Sequence, residues 1–309
     1  MTTLLYTHDS FAAHETPPGH AERSERYAAV EAVLQGADFT SLIRRVPPRA
    51  SAEQVELVHS ERFRELVEEN APSEGMVQFD PDTFAGPHSL DASLRAAGGA
   101  CAAVDALYRG EAANAFVAAR PPGHHAEPER AMGFCLFNGA AIAAQHARAA
   151  HGAKRVAVVD FDVHHGNGTE AAFWHDEHAF YASSHQWPQY PGTGRASDRG
   201  EFDNIANAPL AGGDGSTAFR RAWGERLLPA LSDFGPDLVV ISAGFDAHRA
   251  DPLGGLDLGE DDFAWVTREI LAVARDKAGG RVVSLLEGGY DLKALAMSAA
   301  AHVKVLMDG

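Results

Sequence analysis

The feature that most constrains the fold is a recurrence of short, β-branched apolar runs separated by longer amphipathic stretches. The runs fall at residues 4–7, 115–119, 155–160, 179–183, 237–242 and 281–286. Helix candidates lie between them at 22–34, 52–69, 90–108, 138–151, 218–231 and 261–276. Strands that are apolar throughout must be covered on both faces, so this alternation predicts a parallel sheet with helices on each side. Segments 72–75, 186–200 and 211–215 read as loops, and none has the composition of an interdomain linker. The simplest reading is therefore one α/β domain over residues 1–309.

The segments after the strands are more specific than the strands themselves. The run at 115–119 leads into Arg120-Pro121-Pro122-Gly123-His124-His125, and the run ending at Asp160 leads into Phe161-Asp162-Val163-His164-His165-Gly166. The run at 237–242 leads to Ala243-Gly244-Phe245-Asp246-Ala247-His248, and the last leads to Glu287-Gly288-Gly289-Tyr290. One polar loop after a strand means little. Four such endings, rich in His, Asp and Tyr, would converge on one site, because ligands of open α/β sheets bind outside the carboxyl ends of the strands.

Composition removes competing classes. A net charge of −17 argues against nucleic-acid binding through a general electrostatic surface and favours cationic ligands. The two cysteines, Cys101 and Cys135, are too few for a disulfide framework or a zinc finger. No secretory signal pattern opens the chain, and no apolar run approaches the roughly 18 to 20 residues of a membrane span. The expectation is a cytoplasmic enzyme that binds neither nucleic acid nor membrane.

The residue types in the clusters suit metal-assisted hydrolysis. Asp160, Asp162 and His164 alternate, so an extended segment would project them to one face. Asp162 and His164, completed by the distant Asp246, would give zinc three protein ligands and leave a position for water. A catalytic zinc supplies an activated water and a polarised carbonyl together. The adjacent His124 and His125 could accept the water's proton and return it to a leaving amine, with Asp160 and Asn167 orienting them. Tyr290, on a flexible Gly288-Gly289 turn, could donate its phenol proton to a developing oxyanion. Each feature has a plainer alternative: strand-end aspartates cap helices, buried histidines fill cores, and tyrosines pack by their rings.

These residues resemble the histone deacetylase superfamily, particularly its class II and bacterial members, from His14 to about Leu292. The most specific matches are Arg120 to His125, Gly133-Phe134-Cys135-Leu136-Phe137-Asn138, Asp160 to Gly168, Pro191-Gly192-Thr193-Gly194, Ser242 to Asp246 and Glu287 to Tyr290. The resemblance implies the arginase/deacetylase α/β fold, a central parallel sheet of about eight strands flanked by helices. It implies Zn2+ on Asp162, His164 and Asp246, with His125 as principal base and acid, His124 as its electrostatic partner and Tyr290 as the carbonyl-polarising donor. It places Asp160 against His124 and Asn167 against His125. Gly133, Phe134 and Tyr190 would wall a channel for the acyl-lysine stem, and Asp82 would hold the substrate at the rim. A potassium ion (K+) would sit near Asp160, Asp162, His164, Ser183 and Ser184.

The implied activity is zinc-dependent hydrolysis of acylated amines such as N-ε-acetyl-lysine in a protein or peptide, with hydroxamates as inhibitors. The alternatives are an acetylpolyamine or other small-amide amidohydrolase, a non-catalytic acyl-lysine binding module, and a binuclear manganese ureohydrolase. The last needs further bridging carboxylates, and Phe245-Asp246-Ala247-His248 offers no second aspartate set. The binding module is opposed by Tyr290, which stands together with both histidines and all the implied ligands.

Overall fold

The computed structural model describes residues 2–309. Its strands are β1 (Thr3–Tyr6), β2 (Ile43–Arg45), β3 (Val77–Asp80), β4 (Thr83–Ala85), β5 (Asn114–Val117), β6 (Val156–Asp160), β7 (Ala179–Gln186), β8 (Ile205–Leu210), β9 (Leu238–Ala243) and β10 (Val282–Leu286). Eight of them form one parallel sheet in the order β2-β1-β5-β10-β9-β6-β7-β8, and β3 and β4 pair as a separate antiparallel hairpin.

Strand alternation divides the core into two layers. Phe116, Val159, Val239, Ile241 and Leu286 face a layer completed by the helix Glu260–Lys277 and the helix Leu292–Asp308. Val117, Val156, Val158, Val240 and Leu285 face the other, completed by Ser89–Tyr108 and Gly139–His151. Every residue of β5, β6, β9 and β10 is buried, which is why these strands read as continuous apolar runs.

The predicted elements are present, with differences that have local causes. The edge strands β2 and β8 were not expected: β2 is exposed and carries Arg44 and Arg45, while β8 reads Ile-Ala-Asn-Ala-Pro-Leu with little β-branched content. Pro209 is tolerated in β8 because that strand lies at the sheet edge. The helix expected over 52–69 is two helices, Ala52–Val55 and Glu61–Glu69; the second starts where Ser60 Oγ accepts from Phe63 N at 3.1 Å. The helix expected over 218–231 runs further, from Ser216 to Phe234, through a π-helical turn at Trp223–Leu227. Pro229, which has no N–H to donate, lies two residues beyond the end of that turn. No helix is long and apolar enough to cross a membrane among the described residues.

Two histidines lie wholly inside this scaffold. His302 bonds Thr267 Oγ1 at 2.7 Å and Ser284 Oγ at 2.8 Å, and burial pushes it down to about 3. His59 accepts from Asn138 N at 2.9 Å and meets the Glu127 carbonyl at 3.1 Å; burial lowers it to about 4. Below an unfolded-state pKa of about 6.5, the unfolded chain takes up protons that the folded chain refuses, so stability falls as pH falls toward the folded values. Each histidine should cost about 1 kcal/mol per pH unit in that window. Buried carboxylates raised in the fold, such as Asp246 and Glu287, act with the opposite sign, so the histidine contribution is read as a difference between proteins that share them. Between about pH 7 and about pH 5 the urea midpoint of the wild type is expected to fall relative to that of His59→Gln, whose amide can keep both hydrogen bonds. A difference between the two that is independent of pH over that range contradicts the account.

Candidate active site

The strands β5, β10, β9 and β6 are consecutive in the centre of the sheet. Their registers align Asp160 with Ser242 and Leu286 with Ala243, so the loops that follow leave the sheet at one edge. The sequence clusters are thereby brought together at the carboxyl ends of the strands.

The Asp160-to-His164 segment reaches the site differently from the extended reading. β6 ends at Asp160 and the chain then turns twice: Asp162 N donates to Asp160 Oδ1 at 3.0 Å, and His164 N donates to Asp162 Oδ1 at 2.9 Å. Aspartate side chains that bond the backbone two residues on make such turns. Successive Asx turns, rather than one strand face, therefore carry Asp162 and His164 to Asp246.

His164 Nδ1 lies 3.0 Å from Asp162 Oδ1 and 3.1 Å from Asp246 Oδ2, and these donors, all buried, lie within 4.8 Å of one another. Bonds of about 2.0 Å in a tetrahedral site would separate the donors by about 3.3 Å, close to what is present. The electrostatics point the same way. Burial, and then the charge of Asp162, push Asp246 up to about 7. His164 rises to about 10 against its own burial because both carboxylates bond it. The cluster is short of positive charge, and its N/O donors fit a divalent ion such as zinc.

The two histidines are held in different states. His124 Nδ1 bonds Asp160 Oδ2 at 2.9 Å; although burial opposes it, Asp160 and then Asp162 raise His124 to about 10. His125 bonds Asn167 Oδ1 through Nδ1 at 2.8 Å, and Asn167 Nδ2 donates to Glu127 Oε1 at 2.7 Å, which fixes the amide's orientation. His125 Nδ1 is therefore the donor, leaving Nε2 with a lone pair. Burial, then the charges of His124 and His164, hold His125 well below its ordinary value.

Above these groups a cavity of about 260 Å³ is lined by Asp82, His125, Gly133, Phe134, His164, Gln189, Tyr190, Leu253 and Tyr290. The Tyr190 ring meets His125 edge-on at 5.1 Å, and Phe134 meets Tyr290 at 5.9 Å. Gly133 has φ +58°, and a Cβ there would collide with the His125 ring, so glycine is required twice over. Asp82 stands at the wall, raised to about 6 by burial and then by Asp80. Ser183 Oγ bonds His185 Nδ1 at 2.9 Å, and Ser184 Oγ accepts from Trp223 Nε1 at 2.9 Å.

The Tyr290 turn is not flexible. Gly288 N donates to Asp162 Oδ2 at 2.8 Å, and Tyr290 N donates to Asp251 Oδ2 at 2.6 Å. Arg26 stacks 4.8 Å over the Tyr290 ring and donates to the Gly289 carbonyl at 2.6 Å. Burial keeps the Tyr290 phenol protonated, well above its usual range, although Arg26 works against this. The glycines here serve close approach, since a Cβ at Gly288 would overlap the Asp246 and Asp162 carboxylates.

An eight-stranded parallel sheet with this site at its carboxyl edge defines the arginase/deacetylase α/β fold. The sequence pattern described as "Histone deacetylase domain" matches residues 20–306. A histone deacetylase-like amidohydrolase of Pseudomonas aeruginosa is 41% identical over 282 residues, covering 88% of this chain and 73% of that protein. Histone deacetylase 10, chloroplastic, of Oryza sativa is 38% identical over 318 residues, covering 96% and 71%. The crystal structure of the HDA15 HD domain superposes with a TM-score of 0.94 at 35% identity, covering 99% of this chain and 88% of that one. The chain belongs to the histone deacetylase family.

Several supporting residues carried no role in the sequence reading. Glu287 Oε2 accepts from Gly123 N at 2.6 Å and His124 N at 3.1 Å, tying the histidine loop to the end of β10. The Tyr181 hydroxyl donates to Asp160 Oδ2 at 3.1 Å and accepts from Gly166 N at 2.9 Å. Leu253 and Gln189 line the cavity from separate loops. Only the glutamate after β10 was visible as part of a motif; the others are distant in sequence and ordinary in type.

Gly244 offers a test of the donor cluster, because a Cβ there would overlap Asp162 Oδ2. Gly244→Ala should retain the far-UV circular dichroism of the fold and bind zinc about 10 to 100-fold more weakly by calorimetry. Unchanged zinc affinity in the folded variant would show that Asp162 is free to move or is not a ligand.

Proposed function

We propose that the protein is a zinc-dependent amidohydrolase that removes acetyl or similar acyl groups from amines such as the lysine side chain. The observation that carries this is one cavity with a neutral His125 and the phenol of Tyr290 in its walls, and with Asp162, His164 and Asp246 converging at its foot. Those last residues would hold the zinc, which when bound polarises a carbonyl and lowers the pKa of a water to about 7.

The chain's own groups then divide the work. His125 Nε2 takes one proton of the attacking water and delivers it to the leaving nitrogen as the amide C–N bond breaks; the water's second proton passes from the new carboxylic acid to the amine, so a carboxylate and an alkylammonium ion are released. Asn167 fixes the tautomer that leaves Nε2 open. His124, held positive by Asp160, stabilises negative charge developing beside it. The Tyr290 phenol donates to the same developing oxyanion, and Asp251 and Arg26 hold it in position. Gly133, Phe134 and Tyr190 enclose the apolar stem, and Asp82 accepts from the substrate's polar groups at the rim.

Relatives named as histone deacetylases favour acetyl-lysine in a protein or peptide as substrate. Asp82 in the cavity wall, with the net charge of −17, supports acetylpolyamine as the second reading. A potassium ion would lie beside β6 and β7, near Asp160, Asp162, His164, Ser183 and Ser184. Ser183 donates to His185 Nδ1, whose other nitrogen is held by the Gly194 carbonyl, so the Ser183 oxygen keeps lone pairs for such an ion beside carboxylate and backbone oxygens.

Assay against unactivated acetyl-lysine peptides and acetylpolyamines should show turnover that chelation abolishes and zinc restores, and Asp246→Ala should be inactive. No turnover of either class by zinc-loaded protein would overturn the proposal. Tyr290→Phe keeps the ring and loses only the hydroxyl. It should bind zinc normally and lose about 10² to 10³ in kcat with a smaller change in KM. Near-wild-type kcat would reduce Tyr290 to a packing residue.

A further inference from the structure

A second convergence of metal-type donors lies far from the acyl-amine cavity. Asp105 is near the end of the helix Ser89–Tyr108, and His146 and His151 lie in the last turns of the helix Gly139–His151. These helices precede β5 and β6, so their ends meet at the amino edge of the sheet, opposite the carboxyl-end site. His146 Nε2 lies 2.8 Å and His151 Nε2 2.7 Å from the same oxygen, Asp105 Oδ1. All of these donors fall within 4.8 Å of one another.

We propose that Asp105, His146 and His151 form a second binding site, for a divalent first-row metal ion such as zinc. Two imidazole nitrogens and a carboxylate oxygen are the donor set of open zinc sites, with the remaining position left to water. Each histidine nitrogen needs to part from the Asp105 oxygen only from about 2.8 Å to about 3.3 Å to share a tetrahedral ion with bonds of about 2.0 Å, and the two nitrogens already lie within 4.8 Å of one another. The surroundings restrain them near that arrangement. The Tyr108 ring stacks on His151 at 4.7 Å with an interplanar angle of 13°, and the Arg281 guanidinium in turn lies 4.9 Å over the Tyr108 ring. His146 is nearly buried, whereas Asp105 and His151 are half-buried, so solvent and an ion reach the site from one side.

A plain helix-to-helix contact would use one carboxylate and one partner. Here two imidazoles aim the same nitrogen at one oxygen, and a metal among them replaces two N–H···O bonds by three coordinate bonds, each imidazole giving up its Nε2 proton to Nδ1 or to solvent. Because the site joins the ends of two helices that pack on the same layer, its ion would stabilise the fold without touching the reaction.

The test is calorimetric titration of zinc into the full-length, metal-loaded protein after dialysis, alongside His151→Gln and Asp105→Asn. The wild type should bind one further zinc and show a thermal midpoint raised by zinc. Both variants should lose that equivalent and that shift, with unchanged hydrolytic kcat and KM. Long-range ¹H–¹⁵N spectra of the wild type should also show zinc moving the Nε2 resonances of His146 and His151, a readout that needs no variant. Equal zinc uptake by wild type and His151→Gln, or Nε2 resonances indifferent to zinc, would overturn the proposal.

Discussion

The constraint on which the site depends is the burial of Asp162 and Asp246 beside one another with His164 between them. Two carboxylates in a dry interior repel strongly and cannot both stay charged without positive partners. The chain answers with backbone dipoles as well as histidines: Val163 N donates to Asp246 Oδ1 at 2.8 Å, and Gly288 N and His164 N donate to Asp162. The carboxylates also press against the strand ends so closely that a Cβ at Gly244 or Gly288 would overlap Asp162 Oδ2, which accounts for glycine at both places. A divalent ion on these donors would complete the same logic, since it would supply the charge that imidazoles alone supply partially.

Around this centre lies a buried ionic frame that ties distant segments to it. Glu22 is held well below the usual carboxylate range despite complete burial, chiefly by Arg120. Arg26 bonds Glu22 at 3.0 Å and donates to the Glu287 and Gly289 carbonyls. Arg120 also bonds the Phe11 carbonyl at 2.6 Å. The helix Ser24–Leu34 is thereby locked to the loops that carry His124 and Tyr290. Removing one member would strand buried charge, so the frame behaves as a unit.

Much of this was legible in the sequence because it rests on periodicity and on residue type. The central strands announce themselves as unbroken apolar runs, and the clusters after β5, β6, β9 and β10 carry residues whose chemistry is rarely decorative. The contacts of His124 with Asp160 and of His125 with Asn167 are where the resemblance placed them. What was missed depends on tertiary approach. β2 and β8 are edge strands whose composition carries little signal, and Arg26 looks like any arginine on a helix. The Asx turns after Asp160 replace an expected strand face, and the Gly288-Gly289 turn is packed where looseness was expected. In each case the deciding quantity is a distance between segments far apart in sequence.

The central claim is that Asp162, His164 and Asp246 hold one zinc at the foot of the cavity, where His125 and Tyr290 act on the acyl group. Anomalous diffraction at the zinc edge from crystals with a bound hydroxamate tests it most directly. The account predicts one peak among those donors, with the hydroxamate oxygens beside it and within hydrogen-bond reach of His125 and Tyr290. No peak among them, two ions within that cluster, or a hydroxamate bound away from it would contradict the account.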